Sequence, residues 1–109
     1  MQNLLLKIKN ALVSIDGLKV YHYWRPRMEA PYCLWQEETE DDALYSSNHK
    51  AEQSISGTID YYTLQEFDPM VDTIQETLNT VENLGWSLAT VDYEDDTNLI
   101  HYSWNWTIA

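Results

Sequence analysis

Two segments of the chain place apolar residues at successive spacings of three, four and three residues, which is the period of one helix face. The two sets are Leu5, Ile8, Leu12 and Ile15, and Val71, Ile74, Leu78 and Val81. The spacing predicts one helix over residues 3–15, closed by Gly17. It predicts a second helix that begins after Asp68, a good N-cap, and ends at Gly85. Each helix carries one aliphatic stripe, so both must pack on a sheet.

The remaining patterned segments are rich in β-branched and aromatic residues and predict strands. These segments are residues 18–24, 32–38, 49–64, 86–93 and 99–106. The predicted order along the chain is α-β-β-β-α-β-β. Short links between consecutive strands predict an α+β fold, with an antiparallel five-stranded sheet and two helices on one face. Residues 1–109 are expected to form a single α+β domain.

Aromatic residues are absent from both predicted helices and concentrate in the strands. Cys33 and Trp35 alternate with Tyr32 and Leu34, so this strand is apolar on both sides. Two helices cover only one face of a sheet, so we expect another subunit to cover the second face. The alternative is that these aromatic side chains lie at the surface. The predicted subunit interface is Tyr21, Tyr23, Trp35, Tyr102, Trp104 and Trp106.

The charge of the chain is strongly negative, with 18 Asp and Glu against 6 Lys and Arg. Proteins that bind duplex DNA need cations to displace counterions, so this charge argues against phosphate binding. It fits a DNA mimic, a conduit wall that repels DNA, or simple solubility. Two acidic loops are predicted to be exposed to solvent. They contain Glu40, Asp41 and Asp42, and Glu94, Asp95 and Asp96.

No catalytic or metal-binding pattern is visible in the sequence. The three histidines have no metal-ligand spacing, and residues 92–98 lack the central glycine of a calcium loop. No glycine-rich phosphate loop or nucleophile motif occurs, and Cys33 is expected to be a buried thiol. We therefore expect no enzyme and no cofactor. No signal peptide or membrane span is predicted, which favours synthesis in the cytoplasm.

Three segments carry a resemblance to a known family. They are AEQSISGTIDYYT (51–63), FDPMVDTIQETLN (67–79) and WSLATVDYEDDTNLIHYSWNW (86–106). With this layout, most of the chain resembles the small tail terminator (tail completion) proteins of long-tailed phages and prophages. The resemblance assigns fold or interface roles to Gln53, Gly57, Asp92, Tyr102, Trp104 and Trp106. The loop with Arg25 and Arg27 departs from the family pattern.

The resemblance implies a structural protein of the phage virion, made in the cytoplasm of the bacterial host. Such proteins form a homo-oligomer, a hexameric ring, on the end of the tail tube. The ring stops growth of the tube, binds the tail tube protein and the head-tail connector protein, and lets DNA pass without specific binding. In such a ring, the two acidic loops are predicted to line the pore or face a partner. Two alternatives stay open. One is an acidic mimic of DNA that inhibits a DNA-binding enzyme, and the other is a different head-tail connector or prophage interaction module.

Overall fold

The computed structural model describes residues 1–24, 29–41 and 54–109, and within them all side chains except those of residues 39–41. The described elements are α1 (Gln2–Val13), β1 (Val20–His22), β2 (Tyr32–Asp41), β3 (Ser54–Thr63), α2 (Pro69–Leu78), β4 (Leu84–Glu94) and β5 (Leu99–Ile108). The predicted α+β class, the two helices and the five strands are confirmed. Residues 42–53, which include part of the first acidic loop and Gln53, lie outside the described residues.

The sheet is mixed, so the prediction of a purely antiparallel sheet is wrong. β1 pairs with β2 in parallel, because Val20 aligns with Cys33 and His22 with Trp35. The other three pairings are antiparallel. The lateral order is β1-β2-β3-β5-β4, which differs from the order along the chain. β5 lies between β3 and β4, so α2 leads to an edge strand and the hairpin returns the chain inward.

The helices begin near their predicted positions but end early. α1 ends at Val13 with Ser14 as its C-cap, and Gly17 takes its positive φ of 79° in the turn that follows. α2 ends at Leu78, well before Gly85, which belongs to β4. Asn83 adopts a left-handed conformation with φ of 62°, which a helix interior does not allow. The last predicted turns of α2 are therefore a loop.

Both helices pack on the same face of the sheet, as predicted. Their stripes and one side of the strands form a single core of Leu5, Ile8, Leu12, Ile15, Cys33, Trp35, Ile55, Ile59, Tyr61, Ile74, Leu78, Trp104, Trp106 and Ile108. The strand residues of this core alternate along each strand, which places them all on the helix side. Gly57 shares that side, and the Trp106 ring lies directly over it. The core thus belongs to this one chain.

Asp68 joins the start of α2 to the end of β3. Its Oδ1 accepts a hydrogen bond from the Met70 backbone N–H at 2.9 Å. Its Oδ2 accepts from the hydroxyls of Tyr61 at 2.6 Å and Thr63 at 2.7 Å. Burial acts to raise the pKa of Asp68, but the hydrogen bonds outweigh it and the pKa lies below its ordinary value. The ionised carboxylate is therefore the form that stabilises the fold.

Asp68→Asn is expected to destabilise the protein by about 1–2 kcal/mol at pH 7, because the amide has one acceptor oxygen and cannot accept all three hydrogen bonds. A carboxylate with a lowered pKa stabilises the fold above its unfolded-state pKa of about 3.9 and loses this effect as the pH falls through the folded-state pKa. The stability difference between the unmodified chain and the variant should therefore shrink below about pH 4. Urea titrations of both proteins at pH 7 and pH 3 measure this stability difference.

Asp72→Asn is the matched control for this experiment. Asp72 is exposed in the first turn of the same helix, so its substitution removes the same charge. We expect a small effect, about 0.5 kcal/mol or less, at pH 7. A stability difference for Asp68→Asn that stays constant from pH 7 to pH 3 would contradict the role given to the carboxylate.

Candidate functional site

Three of the predicted interface residues are not at a surface of this chain. Trp35, Trp104 and Trp106 are 2%, 0% and 1% exposed, beneath the two helices. Trp104 Nε1 also donates a hydrogen bond to Gln75 Oε1 of α2 at 3.0 Å. The prediction assumed that the strands carry more aromatic surface than the two helices can bury. The aliphatic stripes instead pack on the indole rings themselves, so these three assignments are corrected to core residues.

The tyrosines of the predicted interface lie closer to the surface. Tyr102 is half-buried on the helix side and stacks with Trp104, with ring centroids 6.1 Å apart. Tyr21 is half-buried and aligns with Leu34 on the opposite side of the sheet. Tyr23 is 52% exposed just after β1. The six predicted residues therefore do not form one surface.

The face of the sheet away from the helices carries a row of stacked rings. Tyr32 stacks on Tyr62 at 4.8 Å between centroids, and Tyr62 stacks on His101 at 4.2 Å. His101 Nε2 donates to Asp60 Oδ1 at 2.7 Å. Tyr32 is only 2% exposed. The second apolar side of β2 that the sequence indicated is thus occupied in part by neighbouring rings of the same chain.

A cleft of about 290 Å³ lies between α1 and the first two strands. Its lining residues are Gln2, Leu5, Leu6, Lys9, His22, Tyr23, Trp35 and Glu37. His22 is stacked between Tyr23 and Trp35, with both centroid distances 3.9 Å. Its Nε2 donates to Glu37 Oε1 at 2.7 Å, and the Tyr23 hydroxyl donates to Glu37 Oε2. This contact was not expected from the sequence, because it joins residues across a parallel strand pair.

Electrostatics in this cleft favour a fixed, ionised carboxylate. Burial acts to raise the pKa of Glu37, but hydrogen bonds from Tyr23 and His22 outweigh it and the pKa lies below its ordinary value. The same hydrogen bond raises the pKa of the Tyr23 hydroxyl. Tyr23 has a φ of 72°, which is unusual for a residue with a side chain. The cluster holds Tyr23 in place just after β1. The Glu37 carboxylate already accepts hydrogen bonds from two donors, His22 and Tyr23.

The two histidines in the described part of the chain, His22 and His101, do not come together as a metal site would require. His22 lies on the helix side with Glu37, whereas His101 lies on the other face with Asp60. Among residues 1–24, 29–38 and 54–109, no three His, Cys, Asp or Glu side chains are grouped to hold a metal ion. Cys33 is buried, and burial raises the pKa of its thiol. It packs in the core.

An exposed apolar surface lies where the β4–β5 hairpin extends beyond the helices. We define the hairpin patch as Leu64, Phe67, Leu88, Val91 and Tyr93, which are 46–88% exposed. Beside it is a cavity of about 550 Å³ lined by Leu64, Glu66, Val91, Asp92, Tyr93, Asn98 and Ile100. None of the hairpin patch residues was among the predicted interface residues. Leu64, Val91 and Tyr93 line this cavity together, so apolar side chains from the end of β3 and from β4 meet at one exposed surface.

A β-bulge brings Val91 and Tyr93 to this surface. Leu88 aligns with Trp104 and Thr90 with Ser103, so Ala89 is an extra residue in β4. Beyond the bulge, Val91 aligns with Tyr102 and therefore lies on the helix side of the sheet. Without the extra residue, strict alternation from Leu88 would place Val91 on the opposite face. The bulge thus extends the apolar helix side of the sheet past the end of α2.

The predicted acidic loops are described only in part. Glu94 ends β4, and Asp95 and Asp96 lie in the exposed turn before β5, so the acidic hairpin is confirmed. Glu40 and Asp41 lie in β2 rather than in a loop, and Asp42 lies outside the described residues. The positions of the turn residues leave their predicted role at a pore or partner open.

Neither α1 nor α2, the helices in the described part of the chain, is long and apolar enough to cross a membrane. No protein-family model matches the chain, and a search of curated proteins found no significant match.

Proposed function

We propose that this chain is a structural subunit of a phage tail that assembles with copies of itself into a ring. The ring caps the tail tube and joins it to the head connector, which is the role of the tail terminator proteins that the sequence resembles. The observation that carries the proposal is the hairpin patch, because its five large apolar side chains are 46–88% exposed. A partner that covers this surface would remove it from water.

The position of the hairpin patch in the sheet favours a protein partner. β4 is eleven residues long and is the last strand of the sheet in the described chain. A long edge strand presents backbone N–H and C=O groups that can pair with another chain. Tyr93 and Phe67 have large aromatic side chains, and aromatic residues are enriched in protein interfaces. An edge and an apolar surface side by side are suited to contact between subunits.

The charge of the chain suits a conduit through which DNA passes. Residues 54–109 contain ten Asp and Glu residues and no Lys or Arg. Such a surface repels phosphate groups, so DNA would move past it without binding. The exposed turn with Asp95 and Asp96 is the described segment that we assign to the pore or to a partner contact. The virion location and the binding of tail tube and connector belong to the same proposal.

An acidic mimic of DNA is the second candidate, and the same ten carboxylates favour it. A decoy would present these groups along an outer surface and would act as a small, soluble species. It would have no use for the hairpin patch, because phosphate mimicry needs charge rather than exposed Leu, Val and Tyr side chains. The ring is therefore the function that accounts for both the charge and the apolar surface.

Negative-stain electron microscopy of the purified chain at high protein concentration tests the proposal. We expect rings of roughly six subunits with a central hole, since closed cyclic symmetry is the common outcome of repeated unlike contacts. A nuclease or restriction enzyme assayed with the same preparation should retain its activity. Small particles without a hole, together with inhibition of such an enzyme, would contradict the ring and favour the decoy.

A further inference from the structure

We propose that copies of this chain bind one another head to tail, with the hairpin patch of one copy against a second patch near the N-terminus of the next. This second surface, the N-terminal patch, consists of Leu6, Lys9, Val13 and Tyr23. The inference rests on the proposed self-assembly and identifies the two surfaces that contact each other in it. Its partner is therefore a second copy of this chain.

The apolar side chains of the N-terminal patch are about half exposed, like most of those in the hairpin patch. Its three apolar members, Leu6, Val13 and Tyr23, are 46–53% exposed. Leu6, Lys9 and Tyr23 line one cleft, and Val13 follows Lys9 by one turn on the same side of α1. The hydrogen bond from Tyr23 to Glu37 fixes the tyrosine beside this helix. The patch is thus built on a helix anchored by its buried face and on a strand end held by a hydrogen bond.

The two patches lie at opposite sides of the molecule. The cleft of the N-terminal patch lies beside His22 and Trp35 on β1 and β2. The hairpin patch lies on and beside β4, at the other edge of the sheet. Five strands spaced about 4.8 Å apart separate the two edges by roughly 19 Å. One copy cannot bring its own patches together, so each patch can meet only another molecule.

The two patches differ in charge, because only the N-terminal patch carries a cation. Residues 1–24 contain Lys7, Lys9 and Lys19 against Asp16 alone, whereas residues 54–109 contain only acidic charges. Lys9 and Glu37 line the N-terminal cleft, where the Glu37 carboxylate is already bonded to His22 and Tyr23. Glu66 and Asp92 line the hairpin cavity, which has no Lys or Arg in its lining. Two hairpin patches brought together would repel, but a hairpin patch and an N-terminal patch attract. The charge pattern therefore selects the unlike pairing.

Unlike pairing has a geometric consequence. A contact between two different surfaces leaves one surface of each kind free after the first pair forms, so further copies can add. Such contacts close into a ring or continue as a filament, whereas contact of a surface with itself stops at a dimer. The head-to-tail contact is therefore the kind of contact that the proposed ring requires.

Two variants, each blocked at one patch, test the contact. Leu6→Glu combined with Lys9→Glu blocks the N-terminal patch, and Val91→Lys blocks the hairpin patch. These side chains are on the surface, so both variants should stay folded by circular dichroism. In sedimentation velocity at low salt, each variant alone should self-associate about tenfold more weakly than the unmodified chain, or not at all. Their equimolar mixture should form a dimer that does not grow, because each member keeps one intact and complementary patch.

Asn105→Lys is the matched control. Asn105 is exposed on the face of β5 away from the helices, so this substitution adds a positive charge outside both patches. It should assemble as the unmodified chain does. Assembly of both blocked variants to full size would overturn the head-to-tail contact but leave the ring in place. Stable dimers of one blocked variant alone would show a patch binding its own kind, and would also overturn it. An unmodified chain that stays monomeric would instead overturn the proposed ring.

Discussion

Trp104→Asp is expected to abolish the folded state, and not only the assembly of the protein. Trp104 is 0% exposed and packs in the core shared by both helices and the sheet. Loss of the indole alone leaves a cavity that costs about 3–5 kcal/mol. A buried carboxylate without a partner adds several kcal/mol, about 2–7 kcal/mol for even a neutral polar group. The sum is comparable to the whole stability of a typical domain, about 5–15 kcal/mol.

Near-ultraviolet circular dichroism and a two-dimensional NMR spectrum measure this effect, because both report fixed packing of side chains. Asn105→Asp is the control, since it introduces the same group at the next residue, which is exposed. The control should keep the spectrum of the unmodified chain. A Trp104→Asp variant that keeps its fold but no longer assembles would contradict the core assignment and restore the interface role that the sequence suggested.

Gly57→Ala is expected to destabilise the protein by about 3 kcal/mol, at the upper end of the usual range for overpacking. A Cβ atom at this position would lie 2.0 Å from the Gln36 carbonyl oxygen and 2.5 Å from Trp106 Cζ2. It would also lie 2.8 Å from the Glu37 Cα. Two of these three contacts are with backbone atoms of β2, which cannot rotate away. The strand pairing itself must shift, next to the irregularity between Glu37 and Thr39.

Gly85→Ala is the matched control, because it places the same methyl group on another strand glycine. The nearest atom to its Cβ would be the Thr107 carbonyl oxygen at 4.0 Å, an ordinary contact. We expect a change of about 0.5 kcal/mol or less. Urea midpoints of the two variants make the comparison. Equal midpoints would show that Gly57 is not required for close approach of β2 and Trp106.

Local signals in the sequence predicted the parts of the fold that depend on a few neighbouring residues. Asp68 and Pro69 mark the start of α2, and the acidic residues 94–96 mark a turn between two strands. The end of α2 was missed because Asn83, rather than Gly85, takes the left-handed conformation. Either residue type allows that conformation, so the sequence could not select between them.

Long-range pairing accounts for the other errors in the fold. A strand as short as β1 carries no pattern that distinguishes parallel from antiparallel pairing. Its direction depends on how Val20 aligns with Cys33 across the sheet. The alternation of residues predicts which side chains share a face, but not which neighbour each strand chooses.

The predicted interface and the hairpin patch have no residue in common. The sequence indicated uncovered apolar surface on the face of the sheet away from the helices, whereas Val91 and Tyr93 lie on the helix side. The tryptophans were placed at that surface because alternation shows two faces without showing which one meets the helices. The extra residue Ala89 shifts Tyr93 to the helix side, whereas unbroken alternation from Trp86 would place it on the other face. Only the sheet register reveals that bulge.

The mass of the unmodified chain in solution tests the central claim most directly, namely that copies of the chain cover its exposed apolar surface. Sedimentation equilibrium over a wide range of protein concentrations provides this mass. We predict that it rises from the monomer value of 12.8 kDa towards roughly six times that value, as cyclic assembly requires. A mass that stays at 12.8 kDa at every concentration would contradict the claim.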